Sequence, residues 1–164
     1  MMETPIRAVI DTSSLVPSRL RRELQQAAQL GAFTAIWSPW IIAELNRVLV
    51  WRWIKDPPSG MPAGDLSDAN ERRCGAAAKV MMQWLFLSFD VVAPLLPYLP
   101  VWERLTDIWD QPIWAAAKVG GAGYVVSENT HDYPPPQADG RHIYEDIEYL
   151  SGEAFLALLA GGVE

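Results

Sequence analysis

The feature that most constrains this chain is a short apolar run that ends abruptly in an acid and three hydroxyls. Residues 7–10 are followed at once by Asp11, Thr12, Ser13 and Ser14. A brief apolar run bounded by turn-forming residues is typical of a buried parallel strand. In an open α/β sheet, ligands bind just outside the carboxyl ends of such strands. The pattern therefore predicts Asp11 at that edge, although an Asp in this position also commonly begins a turn or caps a helix.

The other predicted elements alternate between helices and strands. Helical spacing and capping residues predict helices over 17–30, from Pro39, over 65–85, from Pro112 to 119 and over 153–159. Apolar runs predict further strands over 32–37, 89–93, 124–126 and, at an edge, 141–144. This order predicts an α/β fold, a three-layer α/β/α sandwich around a mostly parallel sheet of four to five strands. Residues 1–164 are expected to form a single domain.

Charge and cysteine content narrow the classes of function. The net charge of −7 argues against broad, non-specific affinity for nucleic acid. It leaves open an enzyme that holds phosphates through metal ions in an acidic pocket. A single cysteine excludes an internal disulfide and favours a reducing compartment. No signal peptide or membrane-spanning run is recognisable, so a cytoplasmic protein without a membrane anchor is expected.

Several further acidic and amide side chains occupy positions that lead to the same predicted edge. Glu44 borders the apolar face of the second helix, Asp110 immediately precedes a helix start, and Asn129 and Asp132 follow the fourth predicted strand. Each has an ordinary alternative, such as pairing with a nearby arginine for Glu44 or N-capping for Asp110. Together with Asp11 they predict a pocket of three or four carboxylates, which repel one another unless a cation neutralises them. Ligands that are all oxygen suit Mg²⁺ or Mn²⁺.

Four segments, in this order along the chain, resemble those of PIN-domain proteins, in particular the toxins of prokaryotic toxin–antitoxin pairs. They are residues 9–15, 38–49, 110–117 and 124–134. The resemblance implies a PIN-like domain with ribonuclease activity, in which Mg²⁺ or Mn²⁺ serves as cofactor. It implies that Asp11, Glu44 and Asp110 are the catalytic acids that hold the metal.

The resemblance also assigns supporting positions, and one of them departs from the family pattern. Ser13 falls where the family often has a small polar residue beside the first acid. Asn129 stands where many members have a fourth Asp, and Asp132 follows where a second acid is common. The resemblance therefore implies that a second metal is held less tightly here unless Asp132 substitutes as a metal ligand.

The implied partners follow from the same likeness. They are an RNA substrate, a small antitoxin protein and a second copy of the chain in a homodimer. The alternative is a catalytically weak PIN-like module that acts through protein or RNA binding, a possibility that Asn129 and the acidic charge favour. A nucleotide-binding domain is less favoured, because the glycines at 120–123 precede a predicted strand instead of a helix.

Overall fold

The computed structural model describes residues 5–57, 64–94 and 111–161, which contain a six-stranded sheet. Its strands are β1 (Arg7–Ile10), β2 (Thr34–Trp37), β3 (Phe89–Val91), β4 (Tyr124–Val126), β5 (His142–Tyr144) and β6 (Ile147–Leu150). The strand order is β3-β2-β1-β4-β6-β5. All neighbours are parallel except β5, which runs antiparallel to β6. The predicted α/β class and mostly parallel sheet are confirmed.

The helices of the described residues largely follow the predicted capping pattern. They are α1 (Thr12–Leu15), α2 (Ser18–Gln29), α3 (Pro39–Lys55), α4 (Asp68–Phe86), α5 (Gln111–Gly120) and α6 (Gly152–Gly161). The Ser38 hydroxyl accepts from the Ile41 amide at 3.3 Å and so caps α3. The single turn α1 was not among the predicted helices. None of the helices in these ranges is long and apolar enough to cross a bilayer.

The prediction of four to five strands was too low, because β6 was missed. A two-residue turn joins β5 to β6, and both of its residues have positive φ, 46° at Glu145 and 65° at Asp146. Such a turn matches the twist of a hairpin. Along β6, Ile147 and Tyr149 are buried while the side chains between and after them are half-buried. This alternation includes only two buried residues, which is too short a signal to predict a strand from the sequence.

Helices cover both faces of the sheet. Ile36 of β2 packs against Gly120 of α5 so closely that a Cβ on that glycine would lie 2.9 Å from Ile36 Cδ1. The next residue, Trp37, points to the opposite face, where its ring centroid is 4.7 Å from that of Phe86 in α4. Successive side chains of a strand alternate between faces. The arrangement is compatible with the predicted three layers.

The carboxyl ends of four parallel strands present polar side chains at one edge of the sheet. Asp11, Ser38, Ser127 and Ser151 directly follow β1, β2, β4 and β6. Backbone pairing continues past the strand ends, since the Asp11 amide donates to the Val126 carbonyl at 2.9 Å. The candidate site is built on this edge.

Candidate active site

The Asp11 carboxylate is buried and fixed by three hydrogen bonds. Its side chain accepts from the Thr12 amide at Oδ1, at 2.8 Å, and so caps α1. Its other oxygen, Oδ2, accepts from the hydroxyls of Ser13 and Ser127, both at 2.8 Å. Hydrogen bonds to an ionised carboxylate are stronger than bonds between neutral groups. Both expectations for Asp11 are met: it caps a helix and it lies at the carboxyl edge.

The topology of the sheet brings Ser127 to Asp11. Ile10 of β1 pairs with Val126 of β4, so the residues that follow these two are neighbours. The Ser127 hydroxyl also lies 3.1 Å from that of Ser13. Sequence reasoning identified Ser13 but not Ser127 as a supporting residue. The available signal was its position directly after a strand that neighbours β1.

An open cleft of about 380 Å³ lies beside Asp11. Helix α3 contributes Glu44, which is half-buried, and the loop after β4 contributes Asn129. The structure therefore brings four of the predicted site residues, from three separate segments, to one cleft. The residues that line it are Asp11, Thr12, Ser13, Val16, Pro17, Glu44, Val48, Arg52 and Asn129.

The other two predicted acids, Asp132 and Asp110, are not among the described residues that line the cleft. Asp132 is buried in the short turn after β4, and its carboxylate accepts a hydrogen bond from the Asn129 side-chain amide. Among the described residues, those lining the cleft include Asn129 but not Asp132. Asp110 directly precedes α5 in the sequence and lies outside the described residues. Within the described ranges, no three His, Cys, Asp or Glu side chains lie close enough to hold a metal ion together.

A buried tyrosine secures the strand end that carries Ser127. The Tyr133 hydroxyl donates to the backbone carbonyl of Ser127. Burial raises the pKa of Tyr133, and the negative charges of Glu128 and Asp11 raise it further. The phenol therefore stays protonated and remains a donor well above neutral pH, which keeps the loop after β4 in place against Asp11.

No protein-family model, curated protein or solved structure gives a significant match to this chain. The chemistry of the site is therefore judged from its own donor atoms. Asp11, Glu44 and Asn129, whose side chains carry oxygen, line the cleft, and no cysteine or histidine lines it among the described residues. An ionised carboxylate has about four lone-pair sites, and three hydrogen bonds leave one on Asp11 for a further partner. This donor set fits a hard cation such as Mg²⁺ or Mn²⁺ better than zinc, which favours nitrogen and sulfur.

Proposed function

We propose that this chain is a PIN-type endoribonuclease that requires Mg²⁺ or Mn²⁺ and hydrolyses phosphodiesters in single-stranded or loop RNA. The observation that carries the proposal is the fixed carboxylate of Asp11, which shares one cleft with Glu44 at the carboxyl edge of a parallel sheet. Ligands of α/β proteins bind at this edge. The two acids come from distant segments of the chain and line the same cleft.

The roles of the residues follow from their surroundings. Asp11 and Glu44 would hold the cation, and by resemblance Asp110 would be the third acid. When bound, such an ion polarises the phosphodiester and steadies the departing oxygen. Ser13 and Ser127 keep the Asp11 carboxylate in one orientation through their 2.8 Å hydrogen bonds. Asn129 lines the same cleft, where its oxygen can face the substrate or the ion.

The biological setting of the proposal is a toxin–antitoxin pair. By the resemblance stated above, a small antitoxin protein would bind this chain and block the cleft, and two copies would form a homodimer. The expected mass in light scattering at micromolar concentration is that of two chains. Purification with a small protein encoded by a neighbouring reading frame would support the toxin assignment.

Isosteric replacement of Asp11 and Glu44 tests the proposed ribonuclease activity. Asp11→Asn and Glu44→Gln should each abolish cleavage of a labelled single-stranded RNA in Mg²⁺ or Mn²⁺, because each removes a charge that the cation needs. The serine hydroxyls can rotate to accept hydrogen bonds from the new amide, so Asp11→Asn is expected to fold. If both variants cut RNA as fast as the parent, the proposal is wrong.

Matched controls separate the site from the general loss of negative charge. Asp146→Asn and Glu71→Gln make the same chemical changes at exposed positions. Asn tolerates the positive φ of 65° at position 146. Both controls should cleave RNA at the parental rate.

The second candidate function is a catalytically weak module that binds protein or RNA. It is favoured by the hydrogen bond that the side-chain amide of Asn129 donates to the carboxylate of Asp132. Calorimetric titration with Mn²⁺ distinguishes the two candidates. Binding heat that disappears in Asp11→Asn supports the nuclease, whereas no heat at millimolar Mn²⁺ supports the module.

A further inference from the structure

A second open cavity, of about 400 Å³, continues from the cleft along α3. Val16, Val48 and Arg52 line both cavities, so the two form one continuous surface. Glu44 lies at the end of this surface beside Asp11, and Lys55 and Asp56 line its opposite end. At a rise of 1.5 Å per helical residue, the surface extends about 16 Å from Glu44 to Lys55.

The side chains of this second cavity form two adjacent rows on α3. Arg47, Trp51 and Lys55 follow one another at intervals of four residues, which places them on one face of the helix. Val48 and Arg52 form the neighbouring row. Trp51 is 53% exposed, and the Lys55 ammonium lies 6.0 Å from the centre of its ring. A large indole left half in water among cations is suited to stacking on a planar ligand.

Three cations of this surface have no ion-pair partner among the described residues. Arg47, Arg52 and Lys55 make no ion pair within 4 Å in the part of the chain that the structure describes, even though Asp56 lines the same cavity. Ion pairs elsewhere hold Arg7, Arg19, Lys118 and Arg141. In a chain of net charge −7, three cations that lack an ion pair within the described ranges form a local positive surface in one groove.

A fourth cation behind the groove adds to this positive surface. The Arg21 guanidinium is held in place by the carbonyls of Leu15 and Val16, at 2.8 and 3.1 Å. Burial lowers the pKa of Arg21, and the positive charges of Arg22 and Arg52 lower it further. Arg21 and Arg52 therefore repel each other, and an anion bound in the groove would relieve that repulsion.

We propose that the groove formed by Arg47, Val48, Trp51, Arg52 and Lys55 binds single-stranded RNA and leads it to the acidic cleft. The cations contact successive phosphates, and the indole of Trp51 stacks on a base. Proteins that bind single strands combine these two features, a positive groove and an exposed aromatic ring. The inference rests on the proposed ribonuclease function for its choice of RNA as ligand.

Binding is measured apart from cleavage, so that the two proposals can fail separately. An Asp11→Asn background in EDTA prevents hydrolysis while fluorescence anisotropy follows a labelled single-stranded RNA. Replacing Arg47, Arg52 and Lys55 together by alanine should weaken binding tenfold or more at low salt. Each phosphate contact on a single strand contributes about 0.7 to the slope of log affinity against log salt, so the slope should fall by about 2. Trp51→Ala should weaken binding roughly fivefold with little change in slope.

A matched control changes the net charge by the same amount on another helix. Arg72, Arg73 and Lys79 are exposed on α4, and they also lack ion pairs within the described ranges. Their triple alanine variant should bind RNA nearly as well as the background protein. Circular dichroism and thermal unfolding confirm that each variant is folded.

Each result decides the inference. Equal losses in both triple variants would mean a general charge effect, and the groove assignment would be wrong. It would also be wrong if the α3 variant kept its RNA affinity or if the background protein bound no RNA. If the α3 variant loses binding while the parent never cuts RNA in Mg²⁺ or Mn²⁺, the groove stands and the proposed nuclease activity fails.

Discussion

The hydroxyl of Ser127 lies 2.8 Å from Asp11 Oδ2, although 116 residues separate the two in the sequence. The same hydroxyl accepts a hydrogen bond from the backbone amide of Asn129 at 3.2 Å. One buried oxygen thus connects the acid after β1 to the loop after β4. The precision of the candidate site depends on this connection, because it fixes both the carboxylate and the loop that lines the cleft.

Removal of that hydroxyl is expected to loosen the site. Ser127→Ala removes one of the hydroxyls that donate to the Asp11 carboxylate. It also deprives the backbone amide of Asn129 of its acceptor. An unsatisfied buried polar group costs about 1–3 kcal/mol, so the free energy of unfolding should fall by that amount in urea denaturation. RNA cleavage should also slow. Ser18→Ala, at an exposed position on α2, should change stability by less than about 0.5 kcal/mol. Equal stability of the two variants would contradict this role for Ser127.

The Tyr133 hydroxyl gives the site a specific pH dependence. The folded pKa of Tyr133 is raised above the ordinary value of 10.0, so the folded state keeps the proton at a pH where the unfolded chain releases it. This contribution to stability is complete below pH 10 and is lost as pH rises above it. Tyr133→Phe should cost about 1 kcal/mol at neutral pH through the lost hydrogen bond to the Ser127 carbonyl.

Unfolding of parent and Tyr133→Phe, followed from neutral pH to above pH 10, tests this dependence. The gap in stability between the two proteins should narrow as the pH passes 10, because only the parent loses the phenol's contribution. A gap that stays constant over that range would contradict the assignment.

The comparison of Ser13 with Ser127 shows what local sequence can reveal about the site. Ser13 lies two residues from Asp11, and the resemblance to PIN-domain proteins implied a supporting role for it there. Ser127 is near Asp11 only because β4 is placed beside β1 in the order β3-β2-β1-β4-β6-β5. That order depends on how strands and helices pack over the whole sheet, which the periodicity of a single strand does not encode.

Glu44 and β6 show that the length of an element decides how well its sequence pattern predicts it. The spacing of apolar residues on α3 correctly placed Glu44 at the border of the buried face, and the structure finds it half-buried beside the cleft. In β6 the apolar alternation spans only Ile147 and Tyr149, directly after the acidic turn at Glu145 and Asp146, and no strand was predicted there. The prediction succeeded where a helix gave several turns of signal and failed where a strand gave only two buried residues.

The close contact between α5 and the sheet predicts opposite effects of the same substitution at two glycines. In Gly120→Ala the new methyl group would lie 2.9 Å from Ile36 Cδ1 and 3.3 Å from Ile36 Cγ2. Ile36 is fully buried on an inner strand of the sheet, so its side chain has little room to move, and a cost of about 1–3 kcal/mol is expected. Gly75, within α4, has nothing within 4 Å of its Cβ position. Gly75→Ala should therefore stabilise the protein by about 0.5–1 kcal/mol.

Urea denaturation of the two glycine variants checks the packing of α5 against β2. Opposite shifts of the midpoint, at unchanged slope, are the expected result. If both substitutions stabilised the protein, α5 would lie farther from Ile36 than the structure places it.

Replacement of Asn129 by Asp tests how the departure from the family pattern affects the cleft. In the structure the side-chain amide of Asn129 donates to the Asp132 carboxylate. Asn129→Asp replaces that donor by a second negative charge, so the two carboxylates repel each other in metal-free protein. The variant should therefore unfold at lower urea concentration than the parent in EDTA. A divalent ion would neutralise the added charge, so Mn²⁺ should stabilise the variant more than it stabilises the parent.

Asn129→Ala separates the added charge from the lost hydrogen bond, because it removes the amide without introducing a carboxylate. Both variants should be less stable than the parent in EDTA, but only Asn129→Asp should recover its stability as Mn²⁺ is added. Calorimetry should show tighter Mn²⁺ binding to Asn129→Asp than to the parent, since a further oxygen anion faces the cleft. If Mn²⁺ stabilises all three proteins equally, position 129 does not contribute to cation binding, and the cleft holds its ion through Asp11 and Glu44 without this loop.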